Sequence, residues 1–182
     1  MTMNVEAFDA SGAAARARDE DRAAIVDLQA RRGAELYGLA RRLGLDADEA
    51  DDAVQEALMR AWLALDADDP VRQLDAWTFR TLYRLCMDRH RWRRRVRLLT
   101  DRLGGGGSVT EPAAAIGDRL ALWAAVDRLP RRQRATIYLR YRADLTFEEI
   151  GHVLDIQPVS ARSHASRALD RLAVLLREED FR

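Results

Sequence analysis

The sequence predicts an all-α protein. Apolar residues recur at three- and four-residue steps over most of its length, and no useful stretch alternates apolar and polar residues as a strand would. A third observation concerns organisation. The segment TDRLGGGGSVTEPAAAIGD interrupts the helical pattern with four successive glycines, a serine and a proline. Such a run cannot hold a helix, so it predicts two small helical domains joined by a flexible linker.

Residues 1–19 are expected to form a disordered tail. They are Ala-rich and acid-bearing and lack the apolar stretch of a secretory signal. A first helix is expected over 21–43, with Ile25, Leu28, Leu36, Leu39, Ala40 and Leu43 available for burial. Gly44 breaks it, and Asp46 or Asp48 can cap the next. That second helix, 48–65, has the clearest pattern: Ala50, Ala53, Val54, Ala57, Leu58, Ala61, Trp62 and Leu65 form one apolar stripe. It ends at DADDP, because Pro70 disfavours helical backbone at Asp69. A third helix, 77–96, is apolar at its start and cationic at its end. The stretch RHRWRRRVR places six arginines and one tryptophan within nine positions. The linker is expected over 99–117; its run at 104–108 also has the composition of a synthetic tether. Four further helices are expected, in DRLALWAAVDRL, after Pro130, in TFEEIGHVL and in SARSHASRALDRLAVLL.

The last two helices make a motif. Thr146 and Glu149 have capping-box spacing before an apolar run. Five residues, DIQPV, turn the chain, and Ser160 can cap the second helix. Its inward face is expected to hold Ala161, Ala165, Ala168, Leu169 and Leu172, leaving Ser160, Arg162, Ser163, His164, Arg167 and Arg171 outward. This is helix-turn-helix organisation, and its second helix has the chemistry to read base edges in a major groove. An ordinary helical hairpin with a solvated basic face would share the pattern. The absence of acid between Ile156 and Leu169 favours DNA.

The 30 basic residues balance the 30 acidic ones, but not locally. Residues 1–71 hold 8 Arg and 16 acids, residues 72–102 hold 10 Arg and 3 acids, and residues 103–182 hold 12 Arg and 11 acids. Net charges of −8, +7 and +1 suggest two kinds of partner, one of them polyanionic. Every basic residue is Arg, which together with the Ala content suggests a GC-rich coding genome. The single cysteine, Cys86, excludes an internal disulfide and fits a reducing cytoplasm. No apolar run approaches membrane-spanning length. Cys86 and His90 could be half a metal site, but no second ligand pair is evident. His152 reads as structural. No nucleophile–base arrangement or phosphate-cradling glycine motif occurs, so neither enzymatic activity, a metal nor a cofactor is expected.

Three stretches, DEADDAVQEALMRAW, DAWTFRTLYRLCMDRHRWRRR and LPRRQRATIYLRYRADLTFEEIGHVLDI, resemble the two blocks of bacterial extracytoplasmic-function sigma factors, a branch of the sigma-seventy family. The resemblance covers 25–98 and 118–177. It implies a region 2-like domain at 20–98 and a region 4-like domain at 118–182. It further implies core RNA polymerase as partner, through the beta-prime clamp coiled coil and the beta flap, together with promoter DNA and, as a further possible partner, an anti-sigma factor. Asp48, Asp52, Gln55, Glu56, Met59 and Leu63 fall in the polymerase-docking helix. The mix of carboxylates and exposed apolar groups on that stripe suits an interface with an apolar centre and a polar rim.

The helix over 77–97 resembles the segment that recognises and melts the minus-10 element. Melting requires aromatic faces for unstacked bases and cations for phosphates. Trp77, Phe79, Tyr83 and Trp92 supply rings, with Phe79 and Trp77 divided between this role and the core. Arg80, Arg84, Arg89, Arg91, Arg93, Arg94 and Arg95 supply charge. The loop 66–76 takes the place of the family's base-capturing loop, and Ser160, Arg162, Ser163, His164, Arg167 and Arg171 that of its minus-35 reading residues. Arg84 stands where the family often has Asn, Val159 where the second turn usually has Gly, and Ala161 and Ala165 where it has larger apolar residues. Promoter sequence is therefore not transferable. Two other readings are open to the residues alone: a stand-alone helix-turn-helix regulator and an RNA-binding scaffold using the arginine helix.

Overall fold

A computed structural model describes residues 5–65, 73–102 and 118–180. Among them are seven helices and no strand: α1 (Val5–Arg42), α2 (Ala47–Leu65), α3 (Leu74–Arg102), α4 (Asp118–Asp127), α5 (Arg131–Tyr141), α6 (Phe147–Leu154) and α7 (Pro158–Asp180). The expected linker from 103 to 117, residues 66–72 of the expected base-capturing loop and residues 1–4 lie outside the described residues.

Two helices are longer than their patterns implied. α1 begins at Val5 rather than near Asp21. Its first turns are rich in Ala, whose helix propensity sustains backbone hydrogen bonding without an apolar periodicity to reveal it. α3 likewise runs on to Arg102, since nothing before the glycines breaks it. α2 starts where a reciprocal cap forms: Asp46 accepts from the Glu49 amide at 2.9 Å, and the Glu49 carboxylate accepts from the Asp46 amide at 3.0 Å. The Asp46 carboxyl is held below its usual range, chiefly by that amide bond.

Leu28, Leu36 and Leu39 of α1, Ala53 and Ala57 of α2, and Phe79, Leu82 and Cys86 of α3 fill the interior of the first lobe. The same apolar cluster continues into the second lobe through Tyr138, Leu139, Ile150, Val153, Leu154 and Ala161. α3 packs on α6 and α1 on α5. Gly38 permits the closest approach, because a β-carbon there would collide with the Tyr138 hydroxyl. Polar contacts rim the seam. Arg142 donates to Glu35 at 2.7 Å, Arg32 to the Ala143 carbonyl at 3.3 Å, and Arg134 to the Arg42 carbonyl at 2.8 Å. Arg42 pairs with Asp127 and lies over the Trp123 ring. A smaller cluster of Ala125, Val126, Leu129, Ile137, Ala168 and Leu172 ties α4 and α5 to α7.

The helix-turn-helix is α6–α7. Thr146 and Glu149 form the expected capping box, with the Thr146 hydroxyl accepting from the Glu149 amide at 3.2 Å. Thr146→Ala should lower unfolding free energy by about 1 kcal/mol, read by urea denaturation. The turn is shorter than expected. Asp155 adopts the left-handed conformation that ends α6 (φ 56°), and Pro158 already opens α7. Proline's fixed φ and missing amide suit it to a first helical position. Ser160 therefore does not cap α7; it lies in the first turn, its amide bonded to the Gln157 carbonyl at 2.9 Å. Val159 is likewise helical and exposed, outside the turn. The close approach falls to Gly151, where a β-carbon would stand 2.8 Å from the Ile156 carbonyl oxygen.

Candidate nucleic-acid and protein interfaces

α2 presents its polar face to solvent. Asp48, Asp52, Gln55, Met59 and Leu63 are exposed along one stripe, and Glu56 is half-buried beside Arg60 at 2.6 Å. Trp62, expected to point inward, is 48% exposed and joins Met59 and Leu63 in an apolar patch at i, i+3 and i+4 spacing. The buried stripe of α2 runs through Ala50, Ala53, Ala57, Leu58 and Ala61, and Trp62 lies just off it. The stripe thus has an apolar centre of three large side chains and an acidic flank.

The cationic half of α3 is divided by its partners. Trp92 is 65% exposed, and Arg84, Arg94 and Arg95 are exposed beside it. Arg91 pairs with Asp88. Arg93, expected to face outward, instead pairs with Glu49 and donates to the Gly44 carbonyl at 3.1 Å. Arg80 is turned toward the second lobe, 3.2 Å from His152 Nε2 and 3.6 Å from Asp155. Arg89 is half-buried. Among the rings, Phe79 is fully buried, Tyr83 is 7% exposed and Trp77 is half-buried. Tyr83, expected to face DNA, lies in the shared core, and burial pushes its hydroxyl pKa up. Trp92 alone of the expected rings stands free on the surface.

Cys86 and His90 do not form half of a metal site. The thiol is fully buried, and burial pushes its pKa up to about 12. His90 Nε2 faces the Leu43 carbonyl, and burial holds its pKa down, so the neutral imidazole donates there. No cluster of three potential metal ligands occurs among the described residues. In the folded chain Cys86 should resist iodoacetamide at pH 8 and react fully once unfolded in guanidinium, a difference mass spectrometry would record.

On α7, Arg162 and Arg167 are exposed, Ser160 and Ser163 are half-buried, and Ala161, Ala165, Ala168 and Leu172 face inward as expected. Leu169 does not: it is 46% exposed, because the inward stripe passes through Ala168 and Leu172, four apart. Arg162 pairs with Glu148 at 2.8 Å, and with Arg140 it flanks the Phe147 ring. Arg167 donates to Ser163 at 2.6 Å and Arg171 to Gln133 at 2.9 Å. His164 is half-buried, with its Nδ1 atom buried and unpartnered; burial and nearby Arg167 lower its pKa.

Comparison with known families identifies the two lobes. Residues 28–96 match the model of Sigma-70 region 2, and residues 119–172 match that of Sigma-70, region 4. The RNA polymerase sigma factor CnrH of Cupriavidus metallidurans is 31% identical over 175 residues, covering 90% of this chain and 92% of that protein. The chain belongs to the extracytoplasmic-function branch of the sigma-seventy family. A further relative is the extracytoplasmic-function sigma factor SigW of Bacillus subtilis, 26% identical over 79% of this chain and 83% of its own. Two solved structures share the fold. CnrH in complex with the cytosolic domain of CnrY matches with a TM-score of 0.64 and 28% identity, over 91% of this chain and 95% of that one. The sigma factor RpoE of Bartonella quintana with the anti-sigma factor NepR matches with a TM-score of 0.61 and 27% identity, over 83% and 97%. This sigma factor thus carries region 2 on α1–α3 and region 4 on α4–α7. Sequence reasoning missed Trp62. The only signal available was its position at the edge of the apolar stripe, three residues from Met59.

Proposed function

We propose that this sigma factor docks on core RNA polymerase through α2, reads the minus-35 element with the opening turns of α7, and holds the opened minus-10 strand on α3. Asp48, Asp52, Gln55, Glu56, Met59 and Leu63, with Trp62 added, form the docking face. Ser160, Arg162, Ser163, His164, Arg167 and Arg171 are the minus-35 set. On α3 the working set is Trp92 with Arg84, Arg91, Arg94 and Arg95. Trp77, Arg80 and Arg89 join only after rearrangement, and Arg93 positions the helix. The observation that carries the reading is the placement of an acidic, apolar-centred face and a cationic, ring-bearing face on different helices of one lobe.

The polymerase supplies the catalysis and this chain supplies address and strand separation, so we assign it no enzymatic activity of its own. We place it in the cytoplasm, where its polymerase partner works; no helix among the described residues is long and apolar enough to cross a membrane. The domains run over 20–98 and 118–182, and the chain between them tethers two surfaces that must reach separate promoter elements. An inhibitory anti-sigma protein is a further partner, because both solved neighbours were captured with another protein, named an anti-sigma factor in one case.

The test is run-off transcription with purified core polymerase on genomic fragments, with start sites mapped. Discrete starts that depend on added protein are expected, and identical transcripts without it would overturn the reading. With about five phosphates neutralised, log affinity of the assembled complex for promoter DNA should fall with log salt at a slope near −4 to −5.

A further inference from the structure

Where the two lobes meet, α3 and the amino end of α5 enclose a cleft of about 520 Å³, closed at one side by the α6–α7 turn. Five arginines line it: Arg84, Arg91 and Arg94 from α3, and Arg131 and Arg132 from α5. The one carboxylate on its wall, Asp155, is directed to Arg80. Arg84, Arg94 and Arg131 have no carboxylate partner among the described residues. The backbone adds to the positive field. α5 starts at Pro130 without a side-chain cap and has no acid in its first turn, so its positive dipole end is not compensated. The remaining wall is mostly apolar, formed by Tyr83, Met87, Val153 and Leu154 beside the His90 imidazole.

Convergent guanidinium groups from two lobes repel one another, and among the described residues only Arg91 of the five has a carboxylate partner, Asp88. The shared core holds the lobes together despite this, and the shortage of negative charge is confined to the cleft, since Glu35 and Asp127 serve arginines elsewhere on the seam. The volume falls in the range of small-ligand clefts. Guanidinium groups match the paired oxygens of phosphate and carboxylate alike, but one carboxylate or a single inorganic ion is too small to engage five of them, whereas linked phosphoryl groups can.

We propose that this cleft binds a small polyphosphate, a chain of two or more linked phosphoryl groups, and that the bound anion bridges region 2 to region 4. Free nucleoside polyphosphates and inorganic polyphosphate share that chemistry. Occupation ties Arg84, Arg91 and Arg94 to α5 and keeps promoter phosphates from them. That last consequence rests on the α3 assignment above; the binding itself does not.

Isothermal titration of the full chain at low salt, without polymerase, tests the site with sodium tripolyphosphate in one arm and ATP in the other. One saturable ligand per chain is expected in at least one arm. Tighter tripolyphosphate assigns the site to the bare phosphate chain, and tighter ATP assigns the apolar wall to the base; either result supports the proposal. Arg131→Ala combined with Arg132→Ala should weaken binding about tenfold or more, while Arg177→Ala, at the far end of α7, should not change it. Arg131→Gln alone, expected to weaken binding by about threefold, decides the matter should the double variant fail to fold. The proposal is overturned by absence of saturable binding in both arms or by equal affinity across the variants. A glutamate-rich peptide of matched charge that binds more tightly than tripolyphosphate also overturns it. Because no polymerase or promoter is present, these outcomes are independent of the run-off experiment.

Discussion

Reversing the charge at Asp52 and Glu56 together is expected to abolish association with core polymerase at moderate salt, and Trp62→Ala to weaken it about 30-fold or more. Both rest on the same stripe of α2. Asp52 is exposed, and Glu56 is engaged only by Arg60 one turn away, an exposed pair worth about 0.3–0.5 kcal/mol. Folding should therefore survive the reversal, and unfolding curves should move by less than about 0.5 kcal/mol. Trp62 is half out of the structure with Met59 and Leu63 beside it, the arrangement of a buried anchor once a partner covers it. A truncated anchor of that kind costs about 2 kcal/mol or more. Fluorescence anisotropy with labelled sigma factor and core enzyme measures both variants. An unchanged dissociation constant for Asp52→Arg with Glu56→Arg would move the docking face elsewhere.

The second large effect separates two aromatic residues of α3. Phe79→Ala should destabilise the fold by about 3–5 kcal/mol, because Phe79 is fully buried in the shared core and truncation leaves a cavity. Trp92→Ala should leave stability within about 0.5 kcal/mol and act on DNA instead. Stacking is worth about 1–3 kcal/mol per base, so open complexes should become about 5- to 150-fold less populated. Permanganate footprinting of the melted region reads the second effect and thermal denaturation the first. If Trp92→Ala opened promoters normally, the exposed ring would have some other purpose.

These two predictions also mark what the sequence could and could not disclose. The all-helical class, the order of helices and the Thr146–Glu149 capping box were legible, because periodicity and capping chemistry are local. The acidic stripe of α2 was legible for the same reason. Phe79 and Tyr83 were not separable from Trp92 by spacing. All lie on one helix, and which of them is buried depends on α1, α2 and α6 packing against it. Trp62 and Leu169 failed in the other direction. Each continues an apolar pattern but lies off the buried stripe, which runs through Ala57, Leu58 and Ala61 on α2 and through Ala168 and Leu172 on α7. Ser160 looked like a cap until Pro158 claimed the first helical position. The common core of the two lobes had no local signature at all. It arises from residues such as Leu36 and Tyr138, about a hundred positions apart, whose apolarity fits equally well into separate interiors.

The grip of Arg93 and His90 on the turn between α1 and α2 has a geometric consequence. Through Gly44, Glu49 and Leu43, the arginine-rich end of α3 is fastened to the start of α2. Under the proposed roles, the lever arm from the enzyme's surface to the first unpaired base is then set by helix lengths and one bonded corner. The spacing between that base and the transcription start would be inherited from protein dimensions. Loosening the corner should blur start sites along the template without erasing them.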